Sequence, residues 1–284
     1  MSWSAFTYRP QASVLIVGVG LMGQHMARHV LRWMDVKTLV IADHTDTIMV
    51  GTAPTALSDF AALITAEHGG GAKVVAETVD VTSEDEVSAM LQRHGKIDYF
   101  MHTAGVAPSP LTPPEQLTKD AIMRAYEVNL WGVHNVLKQG VNGGNLRGAR
   151  GVILLSTSAT VGAEGRSSSA YEESKGGLLN LVRLQARHYV DAHQLVLNGI
   201  APSPLRGPMA EQHPVSAGRL KAVEDATPMG GLTEPKHISS TTMFFWASEC
   251  WCVGEVLTTD GGYTKHKPVF GPLPGAAASG GAPS

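Results

Sequence analysis

Three residues in one stretch, Ser158, Tyr171 and Lys175, have the types and spacing of an acid/base site. Tyr171 and Lys175 stand four apart, and positions i and i+4 of a helix share a face, so phenol and ammonium would project side by side. An ammonium beside a phenol favours the phenolate. That brings a group whose unperturbed pKa is about 10 into use as an acid or base nearer neutrality. Ser158 follows the apolar run Val152 to Leu155, which reads as a buried strand whose C-terminal end would carry the hydroxyl to the mouth of a sheet. Tyr-x-x-x-Lys alone is a common coincidence, so its weight rests on what accompanies it along the chain.

The elements that must position these groups begin near the N-terminus. Residues 13 to 31 read as an apolar strand, the turn Gly18-x-Gly20-x-x-Gly23, and a helix with Met22, Met26, Ala27 and Val30 at helical spacing. A glycine turn between strand and helix lets the backbone come close to a pyrophosphate and offers it the unpaired N–H groups of the helix start. A second strand, Thr38 to Ala42, ends at Asp43, an acid placed to accept hydrogen bonds from ribose hydroxyls and to repel a 2′-phosphate. This favours NAD over NADP, with His44 the one neighbouring group that could carry positive charge. Residues 44 to 56 read as a long loop, either a surface insertion or a cover over the adenosine end, before a helix over 57–68.

Strands and helices keep alternating. Val74 to Val81 is strand-like and closes on Asp80-Val81, and Ser83 to Glu86 resembles a capped helix start. The strand Ile97 to Met101 opens into His102-Thr103-Ala104-Gly105, small residues that admit a ribose or substrate to the backbone. His102, at a strand end, reads as a structural hydrogen-bonder rather than a base. A helix over Lys119 to Gln139 carries Asn129, a weak helix former able to bind water or ligand where the backbone is disturbed. The helix from Tyr171 runs to about Asp191, and the strand Val196 to Ile200 leads into a rigid loop through Pro202, Ser203, Pro204 and Leu205. Residues 210 to 228 are polar and poorly periodic, as in a flap over a site or an exposed excursion. A helix over 235–248 and a strand over 254–259 complete the pattern.

With 22 Lys plus Arg against 25 Asp plus Glu, the net charge of −3 gives no electrostatic case for nucleic acid or an anionic membrane. No run of eighteen apolar residues occurs and the opening lacks a signal-peptide pattern, so a soluble, cytoplasmic protein is expected. No linker divides the 284 residues, and the expectation is one domain over 1–264, with a substrate flap at about 203–228 and a low-complexity tail over 265–284. Cys250 and Cys252, two apart, read as packing residues, and no metal site is expected. The predicted fold class is α/β, a single doubly wound, Rossmann-type parallel sheet flanked by helices on both faces, with ligands at the strands' C-terminal ends.

On Gly18 to Gly23, Asp43, Asp80-Val81, Thr103-Ala104-Gly105, Asn129, Ser158, Tyr171, Lys175, Asn198, Ala201-Pro202 and Asp260-Gly261-Gly262, in this order and spacing, the chain resembles the short-chain dehydrogenase/reductase family over roughly residues 12 to 264. The resemblance implies a catalytic tetrad of Asn129, Ser158, Tyr171 and Lys175 and a homotetramer or homodimer. It implies cofactor contacts from Gly18, Gly20, Leu21, Met22, Gly23, Asp43, His44, Asp80, Val81, Thr103, Ala104, Gly105, Tyr171, Lys175, Pro202, Ser203 and Leu205. Substrate would meet Ser158, Thr160, Ser168, Tyr171 and Met209, in a pocket of small and apolar groups suited to a secondary alcohol or ketone. The chain departs from the family pattern at three places: a first turn one residue shorter, His102-Thr103 for Asn-Asn, and Ser203 and Gly207 for glycine and threonine. Some actinobacterial members hold NAD almost without exchange behind an insertion that residues 44 to 56 resemble. The expected reaction is NAD-dependent alcohol/ketone interconversion; the rival readings are an idle dinucleotide sensor or scaffold and a haloalcohol dehalogenase-like enzyme.

Overall fold

A computed structural model describes residues 6–68, 70–108, 112–160, 169–207, 210 and 216–265. The expected substrate contacts Ser168 and Met209, some of the expected flap over 203–228, and all but Lys265 of the expected tail lie outside them.

The architecture follows from strands that are apolar on both sides. In β1 (Ala12–Val17), Val14 and Ile16 enter one core cluster while Leu15 and Val17 enter the other, as the two-residue repeat of a strand requires. One cluster lies between the sheet and α1 (Leu21–Trp33), α2 (Leu57–His68) and α8 (Pro235–Trp246). On the other face the sheet packs against α3 (Glu84–His94), α5 (Gly132–Asn142) and α6 (Ser169–His193). The main sheet has seven strands in the order β5 (Lys73–Thr78), β2 (Val36–Asp43), β1, β6 (Tyr99–His102), β7 (Arg150–Leu154), β8 (Val196–Pro202) and β9 (Val256–Thr259). Each neighbouring pair is parallel. The chain winds outward from β1 through β2 to β5, then returns to β6 and winds the other way. That reversal opens a crevice at the carboxyl ends of β1 and β6.

Three sequence expectations change. Residues 44 to 56 are not a plain loop: β3 (Thr47–Val50) and β4 (Ala53–Ala56) form an antiparallel hairpin that turns at Gly51, φ 61°. Pro54 is tolerated because this two-stranded ribbon leaves outward-facing N–H positions unpaired. The hairpin is pinned by Gln24 of α1, whose side-chain amide donates to Met49 O at 2.8 Å and Val19 O at 2.9 Å. The strand expected over Val74 to Val81 ends at Thr78, and Asp80 and Val81 lie in the turn beyond it. The helix expected over Lys119 to Gln139 is interrupted: α4 (Lys119–Ala125) passes into a π turn, Tyr126–Trp131, and then α5. In the start of α3, Ser83 accepts from Glu86 N, but the Glu86 carboxylate turns to Asp80 N at 2.8 Å. Among the described residues, none of these helices, nor α7 (Ser216–Ala226), is long and apolar enough to cross a membrane. Cys250 and Cys252 are free thiols, the first buried in the core.

Candidate active site

The glycine turn is built around two close approaches. Gly18 has φ 90°, and a Cβ there would fall 2.4 Å from Ala104 N; a Cβ on Gly23 would fall 1.9 Å from Gly18 O. Both glycines are therefore required by the protein's own packing. Gly20 is different, because a Cβ there meets nothing within 4 Å among the described residues. The space it leaves open lies at the start of α1, where backbone N–H groups have no helical partner, so the turn fits a pyrophosphate. Leu21 is exposed at this turn, whereas the Met22 side chain is buried and only its backbone could face a ligand.

Asp43, at the end of β2, accepts from Val19 N at 2.6 Å through one oxygen and pairs with His44 Nδ1 at 2.9 Å through the other. The acid thus holds the same turn that would receive the dinucleotide. Asp80 accepts from the Thr82 N–H and hydroxyl at 2.9 and 2.8 Å. Burial works to raise its carboxyl, but the Thr82 bonds and the positive charges of Arg124 and His44 outweigh it and leave the pKa below the usual range. Val81 is buried against α5 and belongs to the core.

The departures at Thr103, Ser203 and Gly207 each have a local account. The Thr103 hydroxyl donates toward Gly18 O at 2.7 Å and Val17 O at 3.2 Å, so it braces the ends of β1 and β6 in place of the missing amide. Ser203 follows Pro202 at the end of β8 and is buried, its hydroxyl 2.7 Å from that of Thr233, which donates to Thr259 O. The serine ties its loop to β9, leaving backbone rather than side chain to meet a cofactor. Gly207 has φ 153°, a backbone conformation that strains any side chain and so disfavours threonine, while a Cβ there would meet only the tip of the exposed Leu21, 2.9 Å away. Leu205 packs partly buried against the α1 side of the core.

The acid/base residues gather at the ends of β6 and β7. In the π turn, Gly132 N bonds to Glu127 O, five residues back, and this wider turn points Asn129 inward. The buried Asn129 amide accepts from Val106 N at 2.7 Å and donates to Val106 O and to Ser174 Oγ, each at 2.9 Å. Its oxygen and the Lys175 ammonium both flank Gly105, 3.2 and 3.5 Å from where a Cβ would sit. Lys175 donates to Leu154 O at 2.8 Å and lies 5.7 Å from the centroid of the Tyr171 ring. Ser158 does not stand alone: its hydroxyl donates to Ser156 Oγ at 2.8 Å, and Ser156 in turn is hydrogen-bonded to the Tyr171 phenol. Thr160 donates to Thr157 O at 2.8 Å and is half-buried beside this cluster.

Electrostatics here reverse one expectation. Burial pushes the Tyr171 phenol up to about 12, opposed by the Ser156 hydrogen bond, and burial pushes Lys175 down to about 8. The ammonium, which donates to Leu154 O, does not hold the phenol below its ordinary value, because desolvation dominates both groups. His102, buried at the end of β6, is pushed down to about 3 by burial and by the Lys175 charge, against a hydrogen bond to the Gly132 backbone. It is a neutral structural ring. Its Nε2 is buried without a hydrogen-bond partner among the described residues.

Among known proteins, a family model described as enoyl-(acyl carrier protein) reductase matches residues 46–264. Short-chain dehydrogenase reductase 3c of Arabidopsis thaliana is 30% identical over 197 residues, 66% of this chain and 75% of that protein. The chain belongs to the short-chain dehydrogenase/reductase family. Cis-4-hydroxycyclohexanecarboxylate dehydrogenase of Sinomonas cyclohexanicum is 27% identical over 231 residues, 79% of this chain and 89% of the relative. The fold is shared with a short-chain type dehydrogenase/reductase from Mycobacterium ulcerans, TM-score 0.79 at 21% identity, covering 90% of this chain and 91% of that one. This short-chain dehydrogenase/reductase is accordingly an oxidoreductase of a family that binds nicotinamide cofactors and acts on alcohols and ketones. One residue, Ser156, and one role, that of Thr103, escaped the sequence reading. Ser156 carried no sequence signal, because it meets Ser158 through the 3-10 turn Thr157–Ala159 rather than along a strand face; the Thr103 brace depends on the close approach of Gly18 and had none either.

Proposed function

We propose that this chain is an NAD-dependent dehydrogenase interconverting a secondary alcohol and a ketone. The observation that carries the reading is the meeting of Tyr171, Ser158 by way of Ser156, Lys175 and Asn129 at the crevice beside the glycine turn. A bound nicotinamide supplies a carrier for two electrons and a proton, transferred as hydride; the remaining chemistry belongs to the chain. Tyr171 holds a proton on its phenol oxygen and gives it to the carbonyl oxygen in reduction, or takes one from the hydroxyl in oxidation. Ser158, whose hydroxyl proton rests on Ser156 Oγ, turns that proton to the same substrate oxygen when substrate is bound. Lys175 keeps an ammonium beside the ring, and Asn129 fixes the Val106 and Gly105 backbone that frames the site. Asp43 selects NAD, because its carboxylate at the end of β2 repels a 2′-phosphate.

The relative that acts on 4-hydroxycyclohexanecarboxylate carries its alcohol on a ring carbon, and ring alcohols and ketones head the substrate classes to test. The expected working form is a cytoplasmic homodimer or homotetramer, checked by light scattering and by cell fractionation. The deciding experiment is a panel of cyclic and acyclic secondary alcohols and ketones with NAD and NADP in parallel, after a check for co-purified dinucleotide. Turnover with NAD supports the proposal. Dinucleotide binding without turnover across the panel would replace it with the sensor reading.

A further inference from the structure

We propose that Ser156 is a positioning residue of this site: its single hydroxyl ties the hydroxyl of Ser158 to the phenol of Tyr171 and holds the two oxygens together. The inference rests on the function proposed above and adds a member to its site. Three observations meet on one side chain. Ser156 Oγ accepts from Ser158 N at 3.3 Å, the bond that caps the 3-10 turn Thr157–Ala159 and fixes where Ser158 sits. It also accepts from the Ser158 hydroxyl at 2.8 Å. With both acceptor positions filled, the hydroxyl's own proton is free to go to Tyr171, and that bond acts to lower the phenol's pKa, as donation to the phenol oxygen must. The order of donation is therefore Ser158 to Ser156 to Tyr171. The local geometry explains why two serines can do this: Ser156 is the extended cap of the 3-10 turn Thr157–Ala159, and the tight turn brings Ser158 back over the cap while Thr157 is buried.

A phenolate needs donors, and few surround this one. Lys175, on the same helix, donates to Leu154 O and does not shift the phenol, and His102 of β6 is neutral beyond it. From α4 and the π turn, Arg124 acts on Asp80, and Tyr126 is bonded to Glu173 rather than to Tyr171. Glu127 of the π turn, Lys119 and Asp120 of α4, and Glu172 beside Tyr171 exert no resolved effect on the phenol, while β8 and β9 carry no ionisable side chain. Ser156 is thus the one group among the described residues that acts on the phenol in favour of its charged form.

The test compares wild type with Ser156→Ala and Ser156→Thr in two readouts. The first is the pH profile of kcat/KM for alcohol oxidation with NAD. Loss of one hydrogen bond to a developing anion should move the Tyr171 limb upward by about one pH unit, lowering kcat/KM about tenfold on its acid side. Ser156→Thr, which keeps the hydroxyl, should bring the limb back toward wild type. The second readout does not require turnover: the 13Cζ signal of Tyr171, assigned by comparison with Tyr171→Phe, should move at constant pH in Ser156→Ala and much less in Ser156→Thr. If turnover is absent but the signal moves, the proposed reaction fails and the assignment of Ser156 stands. An unmoved signal together with an unmoved limb in Ser156→Ala overturns the assignment. So does an equal displacement in the alanine and threonine variants, which would mark a general packing change.

Discussion

Acidification from about pH 7.5 to about pH 5 should weaken this fold by roughly 2 kcal/mol through His102 alone. The ring is 1% exposed at the end of β6, and burial, reinforced by the Lys175 charge, brings its pKa from 6.5 to about 3. Between those two values the unfolded chain binds a proton that the folded chain refuses. Stability is therefore complete above pH 6.5 and falls as pH drops toward 3, by about 1.36 kcal/mol per unit. The step from 6.5 to 5 spans about 1.5 units, which gives the stated loss. Lys175 adds no slope here, because its own window, from 10.5 down to about 8, lies above the range. The assay is urea denaturation of wild type and His102→Asn at fixed protein concentration at several pH values. Carboxylates titrate alike in both proteins and cancel in the difference. The stability difference should shift by about 2 kcal/mol in favour of the asparagine variant between pH 7.5 and pH 5. A difference independent of pH would refute the assignment of a buried neutral ring.

Four further expectations follow from the site. Tyr171→Phe should lower turnover by about 10²- to 10⁴-fold while NADH binding, followed by fluorescence, stays near wild type; retained turnover would remove Tyr171 from the mechanism. Gly20→Ala should leave urea stability nearly unchanged, since its Cβ finds open space, yet weaken NADH binding by about tenfold or more, whereas Gly23→Ala should lower stability because of the 1.9 Å approach to Gly18 O. Thr103→Val removes the hydroxyl that bridges β1 and β6 and should cost about 1–2 kcal/mol in denaturation. Asp43→Ser should raise the efficiency with NADP relative to NAD, measured as the ratio of kcat/KM values; an unchanged ratio would show that the acid does not read the ribose.

Where the chemistry was local, the sequence displayed it. The glycine turn, the acid closing β2 and the four-residue interval from Tyr171 to Lys175 are short-range patterns, and the strands announce themselves because nearly every residue is apolar. Even the disturbance at Asn129 was visible as a poor helix former inside a helix, though not its form as a π turn. The hairpin over 47–56 was hidden because its strands are only four residues long and Pro54 speaks against a ladder. The balance of charges was hidden for another reason. Spacing places an ammonium near a phenol, but only the packed structure shows that it bonds Leu154 O and that desolvation outweighs it. Thr103 likewise compensates a lost amide through a carbonyl 85 positions away in sequence.

The two-sided apolar character of β1 carries a further implication for how this molecule finds its structure. In a sheet with one wet face, sliding a strand by one residue exposes its oily side, and that penalty sets the alignment. Here both faces are oily, so a slip of β1 would swap Leu15 and Val17 for Val14 and Ile16 with little penalty in polarity. What forbids the slip lies at the strand's end: Gly18 N bonds to Ala42 O at 2.7 Å, and Thr103 N and Ala104 N both bond to Val17 O at 2.7 and 3.0 Å. The alignment of the central strands is thus written in the same few atoms that shape the proposed dinucleotide crevice. A change that loosens the crevice also loosens the alignment, and selection on one is selection on the other.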